Sequence, residues 1–581
     1  MDLDLVGPQL EQADNRHQRE RIRPSPREPA RRTCRALWFS ALGQDGAHIT
    51  SDAVSINRTA RARIRVSPLL VFMRLPRPNL STLFYLALAV FASAPAWIVR
   101  YPPLQDMPIH VAAIRVIHSF HDAQFGIDQY FDLTFGRTQY FLYYVLGSLI
   151  AYVTGVTASN ILLLCVYLAG TPLAIRSLCL AIGKDERLAI LSVPLLVNVM
   201  FIVGLLPFLF GIPIMFWALA AAVRFFDELE NERREGVLRH EGIVLGVLTL
   251  VLFFSHVFPF ALFGLGFAAI FPWSRPRDWL RAGLPTVPAL AAVGWWFFFT
   301  QSGKIAQGAV NSKDVVMPLD RAFSGVFEWA TNIFRDTSDE AWFAAFLLVT
   351  LTALGLSQGD RSSARREARL LIVVPLACFV LYFTTGQSRG PVWLFSQRFP
   401  TLFLLTMVPM LRFPRGLRGW LVTVAALGVA VGSIVNVCKH FIEFQLDEVG
   451  DIDGAIDQIP PGKKVAALIY DKSSSVMTWG APFLHFGSYY QARRGGAVEF
   501  TYAGYTHWPF DFKKGMYPPQ PGLPAGPARP RWEWTPEQVS VSGELMPWYD
   551  YVLERGNGFH PPAGTFHQVW HGDRWSVWKR D

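Results

Sequence analysis

From Leu80 to Cys438 the chain returns repeatedly to apolar runs of roughly 17 or more residues, the length a helix needs to cross a bilayer's hydrocarbon core. Only helices and closed barrels satisfy their backbone polar groups in lipid, so this pattern predicts a polytopic α-helical membrane protein. Composition agrees. Of 581 residues, 51% are hydrophobic and 14% aromatic, while the 17% that are charged lie in clusters. The formal charge of +9 does not point to nucleic acid. Much of the excess sits in residues 1–77 and in short loops between apolar runs, where cytoplasmic Lys and Arg belong. Of the five cysteines, Cys34 lies in the N-terminal tail, and Cys165, Cys179, Cys378 and Cys438 lie in or at the ends of apolar segments. None is placed to staple an exported domain, and no disulfide is expected.

Residues 1–77 are rich in Arg, Pro, Ser and Ala without periodicity and read as a disordered cytoplasmic tail. Met73 is a plausible alternative start within it. Leu80 to Val99 makes the first membrane helix, although Ala92-Ser93-Ala94 also resembles a signal-peptidase site. Topology then turns on Tyr140 to Gly155. If that segment crosses, the loops holding Arg233, Arg234 and Arg239, then Arg275, Arg277 and Arg281, then Arg361, Arg365 and Arg366, all fall outside. If it lies in the interface, all three fall inside, as the positive-inside bias requires. Its cluster of Tyr140, Phe141, Tyr143 and Tyr144 suits an interfacial helix. Tyr101 to Gly155 becomes one long outer loop with two juxtamembrane helices. Further crossings follow near 158–181, 188–203, 206–226, 242–257, 258–272, 283–300, 340–357, 369–385, 399–411 and 420–438, about eleven with the first. The membrane domain spans 78–438. Residues 439–581 turn polar, Pro- and Gly-rich and dense in Trp and Tyr. They read as a small extracytoplasmic α/β domain, with strands at Lys464–Tyr470 and Tyr549–Glu554 and a hairpin joining Phe566–Trp570 to Trp575–Trp578.

The candidate chemistry begins at Tyr101–Phe120. Asp106, followed by Pro108, reads as a helix start, and His110 lies one turn on along the same side. A carboxylate and an imidazole held at a membrane–water boundary suit proton transfer, but an N-capping Asp with two interfacial histidines, His110 and His118, reads the same way. Arg389 and Arg398 fall at outer helix ends, at head-group depth, where Arg grips phosphate or merely snorkels. His256, in Phe253-Phe254-Ser255-His256-Val257-Phe258-Pro259, sits at a tight turn and suits a sugar hydroxyl or phosphate, or its own backbone. Asn198 reads as a helix–helix hydrogen bond, and Glu328 either as a second acid or as part of an amphipathic surface helix. There is no P-loop, dinucleotide fingerprint or Cys-Cys metal spacing, so a transferred group would have to arrive already activated, for example on a lipid phosphate.

The order of elements, with Gln105-Asp106-Met107-Pro108-Ile109-His110 opening the first outer loop, resembles the GT-C glycosyltransferase superfamily. That superfamily includes protein O-mannosyltransferases, aminoarabinose transferases and oligosaccharyltransferases. Gln397-Arg398-Phe399-Pro400 and the segment from His485 to Gly496, HFGSYYQARRGG, resemble stretches of uncharacterised bacterial members. The resemblance covers residues 80–581 as architecture and short motifs as sequence. It implies a membrane enzyme of the bacterial inner membrane that moves a sugar from a polyprenyl-phosphate donor to a glycan, lipid or protein acceptor outside. Asp106 would be the general base, His110 its partner, and Arg398, Arg389 and His256 would bind substrate. Many members carry a pair of acids in that loop. Here Gln105 precedes Asp106, which leaves one carboxylate for any divalent metal, and no metal site is assigned. A transporter or lipid flippase, or a non-catalytic assembly subunit, is the alternative reading. Transporters often show internal repeats and midplane charges, and neither is evident here.

Overall fold

Asn79 accepts a 2.8 Å hydrogen bond from the Thr82 amide and starts the first helix, Leu80–Ala92. From there the computed structural model describes residues 79–231, 235–310, 317–357, 365–389, 392–505, 507–519 and 535–581. The expected basic tail, Cys34, Arg233, Arg234 and Arg361 lie outside the described residues. Residues 77–581 form one compact unit.

Among the described residues six helices are long and apolar enough to cross a membrane: Val156–Ala181, Leu206–Glu230, Pro276–Phe299, Ser338–Leu356, Glu367–Thr384 and Gly416–Asp447. The fold is that of a polytopic helical membrane protein, but the count of about eleven crossings does not hold by length. Leu80–Ala92, Met107–His118, Leu142–Thr154, Val257–Ile270 and Arg398–Met410 are apolar yet shorter. At 1.5 Å per residue, the 13 residues of Leu142–Thr154 fall well short of a ~30 Å core. The expected crossing at 188–203 is instead a 3₁₀ helix, Glu186–Leu195, interrupted at Pro194, then a short α-turn, Val199–Val203. Its Leu188, Ala189, Ile190 and Leu191 are all buried. An apolar run packed inside a bundle has the same composition as one facing lipid, so hydropathy cannot separate the two. Leu206–Glu230 forms the centre of the helical core, with 89% of its most apolar stretch buried, whereas Ser338–Leu356 at 22% lies on the perimeter.

Seven strands are described: β1 Phe131–Leu133, β2 Lys464–Ile469, β3 Ala497–Val498, β4 Phe510–Phe512, β5 Tyr551–Arg555, β6 Phe566–His571 and β7 Trp575–Arg580. Five of them make a mixed sheet in the order β3-β2-β5-β7-β6. β2 runs parallel to β3 and β5, while β7 pairs antiparallel with β5 and β6. The hairpin and both inner strands lie where alternation and β-branched content put them. The small sheet of β1 with β4 was not legible locally. It pairs Phe131 with Phe512 and ties the first loop to the C-terminal region.

Two further ties hold that region down. Arg115 Nε donates to the Ala492 carbonyl at 2.8 Å, joining Met107–His118 to the helix Ser488–Arg494. The buried Arg555 guanidinium lies 3.5 Å from the Phe483 ring centroid and donates to the Glu448 carbonyl at 2.8 Å, at the end of Gly416–Asp447. Cys165, Cys179, Cys378 and Cys438 are free thiols.

Candidate functional site

Asp106 is presented by a backbone clasp. Its amide donates to the Val203 carbonyl at 3.1 Å, and the Gln105 amide to Ile202 at 2.9 Å. The clasp is the Val199–Val203 turn, capped at its start by Asn198, whose Oδ1 accepts from the Phe201 amide at 3.2 Å. Asn198 Nδ2 also reaches Tyr167 on Val156–Ala181 at 3.3 Å, so it caps one element and bridges to another. The turn ends at Gly204, φ +85°, directly against Asp106.

Asp106 holds the N-cap position of Met107–His118 but makes no side-chain capping bond. Its carboxylate turns toward the C-terminal region. Tyr502 donates its hydroxyl to Oδ2 at 3.0 Å, and His485 Nδ1 lies 3.0 Å from Oδ1. The His485 contact has the distance of an ion pair but misses hydrogen-bond alignment. The two side chains are 7% and 3% exposed, so water does little to screen the contact. Gln105 Nε2 is 3.5 Å from Oδ1, and its Oε1 accepts from the Ala481 amide at 3.0 Å.

His110 is bonded elsewhere. Nε2 lies 3.0 Å from the Gly204 carbonyl and Nδ1 2.9 Å from the Tyr144 hydroxyl. A carbonyl only accepts, so Nε2 carries the proton and Nδ1 accepts from Tyr144. Burial pushes the imidazole down to about 4, against the upward pull of Asp106, and keeps it neutral. The ring packs against both Tyr144 and Trp508, at 5.8 and 5.6 Å between centroids, and those two rings meet each other at 5.0 Å. The group paired with Asp106 is therefore His485, with His110 one helical turn behind and committed to the clasp.

A basic cluster forms the second half of the site. Arg398, first residue of its helix and 8% exposed, donates from Nε to the Leu394 carbonyl at 3.0 Å and from Nη2 to Trp393 at 3.3 Å. Leu394 holds φ +52°, a strained conformation for a bulky residue. The guanidinium lies over Phe258 at 4.9 Å and Phe208 at 5.6 Å. Among the described residues no carboxylate comes within ion-pair distance of it. Nη1 is 3.3 Å from His256 Nε2, while His256 Nδ1 caps Val257–Ile270 by accepting from the Phe258 amide at 3.2 Å. Two donors thus converge on an imidazole that, when neutral, offers one lone pair. His507 stands behind them, pushed down to about 4 by burial and then by Arg398 and Arg137. Arg137 itself is paired with Asp511. Arg389 is one ring removed: its guanidinium stacks 5.7 Å from Phe395, which packs on Phe258 at 4.8 Å.

One aromatic wall joins the halves. Tyr502 stacks on Trp508 at 5.1 Å and meets Tyr505 at 5.6 Å. Tyr505 meets His507 at 5.5 Å, His507 meets Tyr140 at 6.2 Å, and Tyr140 meets His256 at 4.9 Å. Asp106, His110, Arg398 and His256 are brought into this one assembly, with Arg389 at its edge, while Glu328 is exposed at the end of Leu319–Glu328. Sequence reasoning did not single out Tyr502, His507 or Trp508, and it gave Tyr144 a place in an interfacial aromatic cluster but none in the site. His485 lay within HFGSYYQARRGG without a role. Among the described residues no group of three or more His, Cys, Asp or Glu is placed to hold a metal ion. Asp106 and His485 alone make too small a donor set for a divalent cation.

No family model matches the chain, and no curated protein matches its sequence. Its fold is similar to that of two crystal structures of ArnT from Cupriavidus metallidurans. The one bound to undecaprenyl phosphate aligns at a TM-score of 0.51 and the apo one at 0.47. Each is 12% identical and covers 85% of this chain and 97% of its own. At that identity the likeness speaks for the fold and not for the chemistry.

Proposed function

We propose that this chain, with its ArnT-like fold, is an integral-membrane glycosyltransferase. It moves a sugar from a polyprenyl-phosphate donor to an acceptor hydroxyl of a glycan, lipid or protein. The observation that carries the reading is a buried carboxyl group and a buried guanidinium at opposite ends of one aromatic wall. The guanidinium has no carboxylate partner among the described residues, and a buried cation of that kind is costly unless an anion joins it. A lipid phosphate fits. It would take the N–H groups of Arg398 that now meet His256, with Arg389 and His256 at its margin. The ArnT structure bound to undecaprenyl phosphate supports a ligand of this class.

In the reaction the acceptor oxygen attacks the anomeric carbon as the bond from that carbon to the phosphate oxygen breaks. The electron pair leaves with the polyprenyl phosphate, where Arg398 balances its charge. The hydroxyl proton passes to Asp106, the general base. A single in-line displacement inverts the anomeric centre. His110, bonded to Gly204 and Tyr144, keeps the clasp around Asp106 closed. The same reading puts the protein in the bacterial inner membrane, with its N-terminus in the cytoplasm and residues 439–581 outside. Purified protein incubated with labelled polyprenyl-phosphate sugars and membrane acceptors tests the function. Transfer with inversion supports it. Consumption of no donor refutes it, and transfer with retention refutes the single displacement.

A further inference from the structure

We infer that His485, in the C-terminal region, is the positioning residue that fixes the Asp106 carboxylate for proton abstraction. The inference rests on the glycosyltransferase reading above. Oδ2 is held by the Tyr502 hydroxyl at 3.0 Å, and Oδ1 faces His485 Nδ1 at 3.0 Å. Oδ1 also has Gln105 Nε2 at the longer distance of 3.5 Å. Contacts on both oxygens fix the rotation of the carboxylate plane, which a contact on one oxygen leaves free. The His485 ring is itself fixed, stacked on Phe500 at 5.1 Å and 17°. Its backbone carbonyl accepts from the Ser488 amide at 2.9 Å, at the start of Ser488–Arg494. That helix is the one Arg115 ties to Met107–His118, so the helices bearing the acid and following the imidazole are stapled to each other. Catalytic contacts are often poorly aligned in the absence of substrate, so the alignment seen here does not argue against the role.

With Nδ1 protonated, His485 donates to Oδ1 and keeps a proton off that oxygen. The lone pair left on the carboxylate takes the acceptor's hydroxyl proton as the glycosidic bond forms. His485 gains and loses no proton in the step. It acts through Asp106 and touches neither substrate. The short helix Met107–His118 thus carries the acid at its start, and the C-terminal region supplies the group that aims it.

The test compares His485→Ala with His485→Asn, whose amide nitrogen stands close to where Nδ1 stands. For a displaced base, His485→Ala is expected to lower kcat by ~100-fold with the donor KM changed less than ~2-fold. His485→Asn is expected to recover kcat to within ~5-fold of wild type, and Asp106→Asn combined with His485→Ala to be no slower than Asp106→Asn alone. Wild-type kcat in His485→Ala overturns the inference, as does additivity in the double variant. If the wild-type protein transfers no sugar at all, the glycosyltransferase reading fails by itself. The contact is then read from the ¹⁵N shift of His485 in labelled full-length protein. A change at Nδ1 on Asp106→Asn sustains the pairing, and an unchanged shift overturns it.

Discussion

Gly204 stands directly against the backbone of Asp106. A Cβ at Gly204 would lie 3.0 Å from the Asp106 amide nitrogen and 3.2 Å from that of Met107, and the residue holds φ +85°. The proposed base is therefore seated on a turn that favours glycine, and the carbonyl of the same glycine accepts a hydrogen bond from His110 Nε2. Gly204→Ala would meet both obstacles. Left-handed backbone costs an L-residue ~1–2 kcal/mol before any clash. We expect a lower unfolding midpoint together with a fall in transfer, read by thermal denaturation and donor turnover on the same preparation. An unchanged midpoint would show that the turn relaxes.

Asp106→Asn keeps the shape of the side chain and removes the base. Because the side chain caps nothing, the helix start does not depend on it. Transfer should fall by ~10²–10⁴-fold, the usual worth of a positioned general base, with the thermal midpoint little changed. Full transfer activity in a folded Asp106→Asn protein would remove Asp106 from the mechanism.

Arg398 presents the opposite balance of stability and function. It is buried without a carboxylate among the described residues, so replacing it by an apolar side chain of similar length relieves a desolvated charge. Arg398→Met is expected to unfold at a midpoint equal to or above that of wild type, while the KM for a polyprenyl-phosphate donor rises at least ~10-fold, the effect of losing a charge-assisted bond worth ~1.5–3 kcal/mol. A stable variant with an unaltered donor KM would place the phosphate elsewhere.

Stability should also depend on pH. Burial pushes His110 and His507 each down to about 4, below the ordinary histidine value of 6.5. Between those values the unfolded chain binds more protons than the folded one, so stability rises with pH. It is fully present above about 6.5 and is lost as pH falls toward about 4. Unfolding midpoints measured across that window should decline toward acid, and His110→Gln, whose amide can still donate to Gly204, should make the decline shallower. An equal slope in the variant would assign the loss to other groups.

Some of this architecture is local enough to read directly. The apolar periods from Val156 to Asp447, the strand Lys464–Ile469 and the hairpin of β6 and β7 follow from hydropathy and alternation. The start of Met107–His118 at Asp106 follows from Pro108 and the spacing around it. The number of crossings does not follow, because the 188–203 stretch is as apolar as a span and is consumed as buried filling.

The site divides the same way. The sequence by itself determined which groups stand at helix starts in an apolar setting, and so drew attention to Asp106, His110, His256 and Arg398. Only the tertiary structure decided what each one faces. A helix start presents its residue to whatever packs there, and the hydroxyl that meets Asp106 comes from Tyr502, 396 residues further on. His110 lies one turn from the acid, yet the Gly204 clasp and Tyr144 take both of its nitrogens, leaving His485 beside the carboxylate. Spacing along one helix sets which side chains share a face. Which of them meet is set by the long-range packing that brings β1 onto β4 and Ser488–Arg494 onto Met107–His118, and no local pattern encodes those contacts.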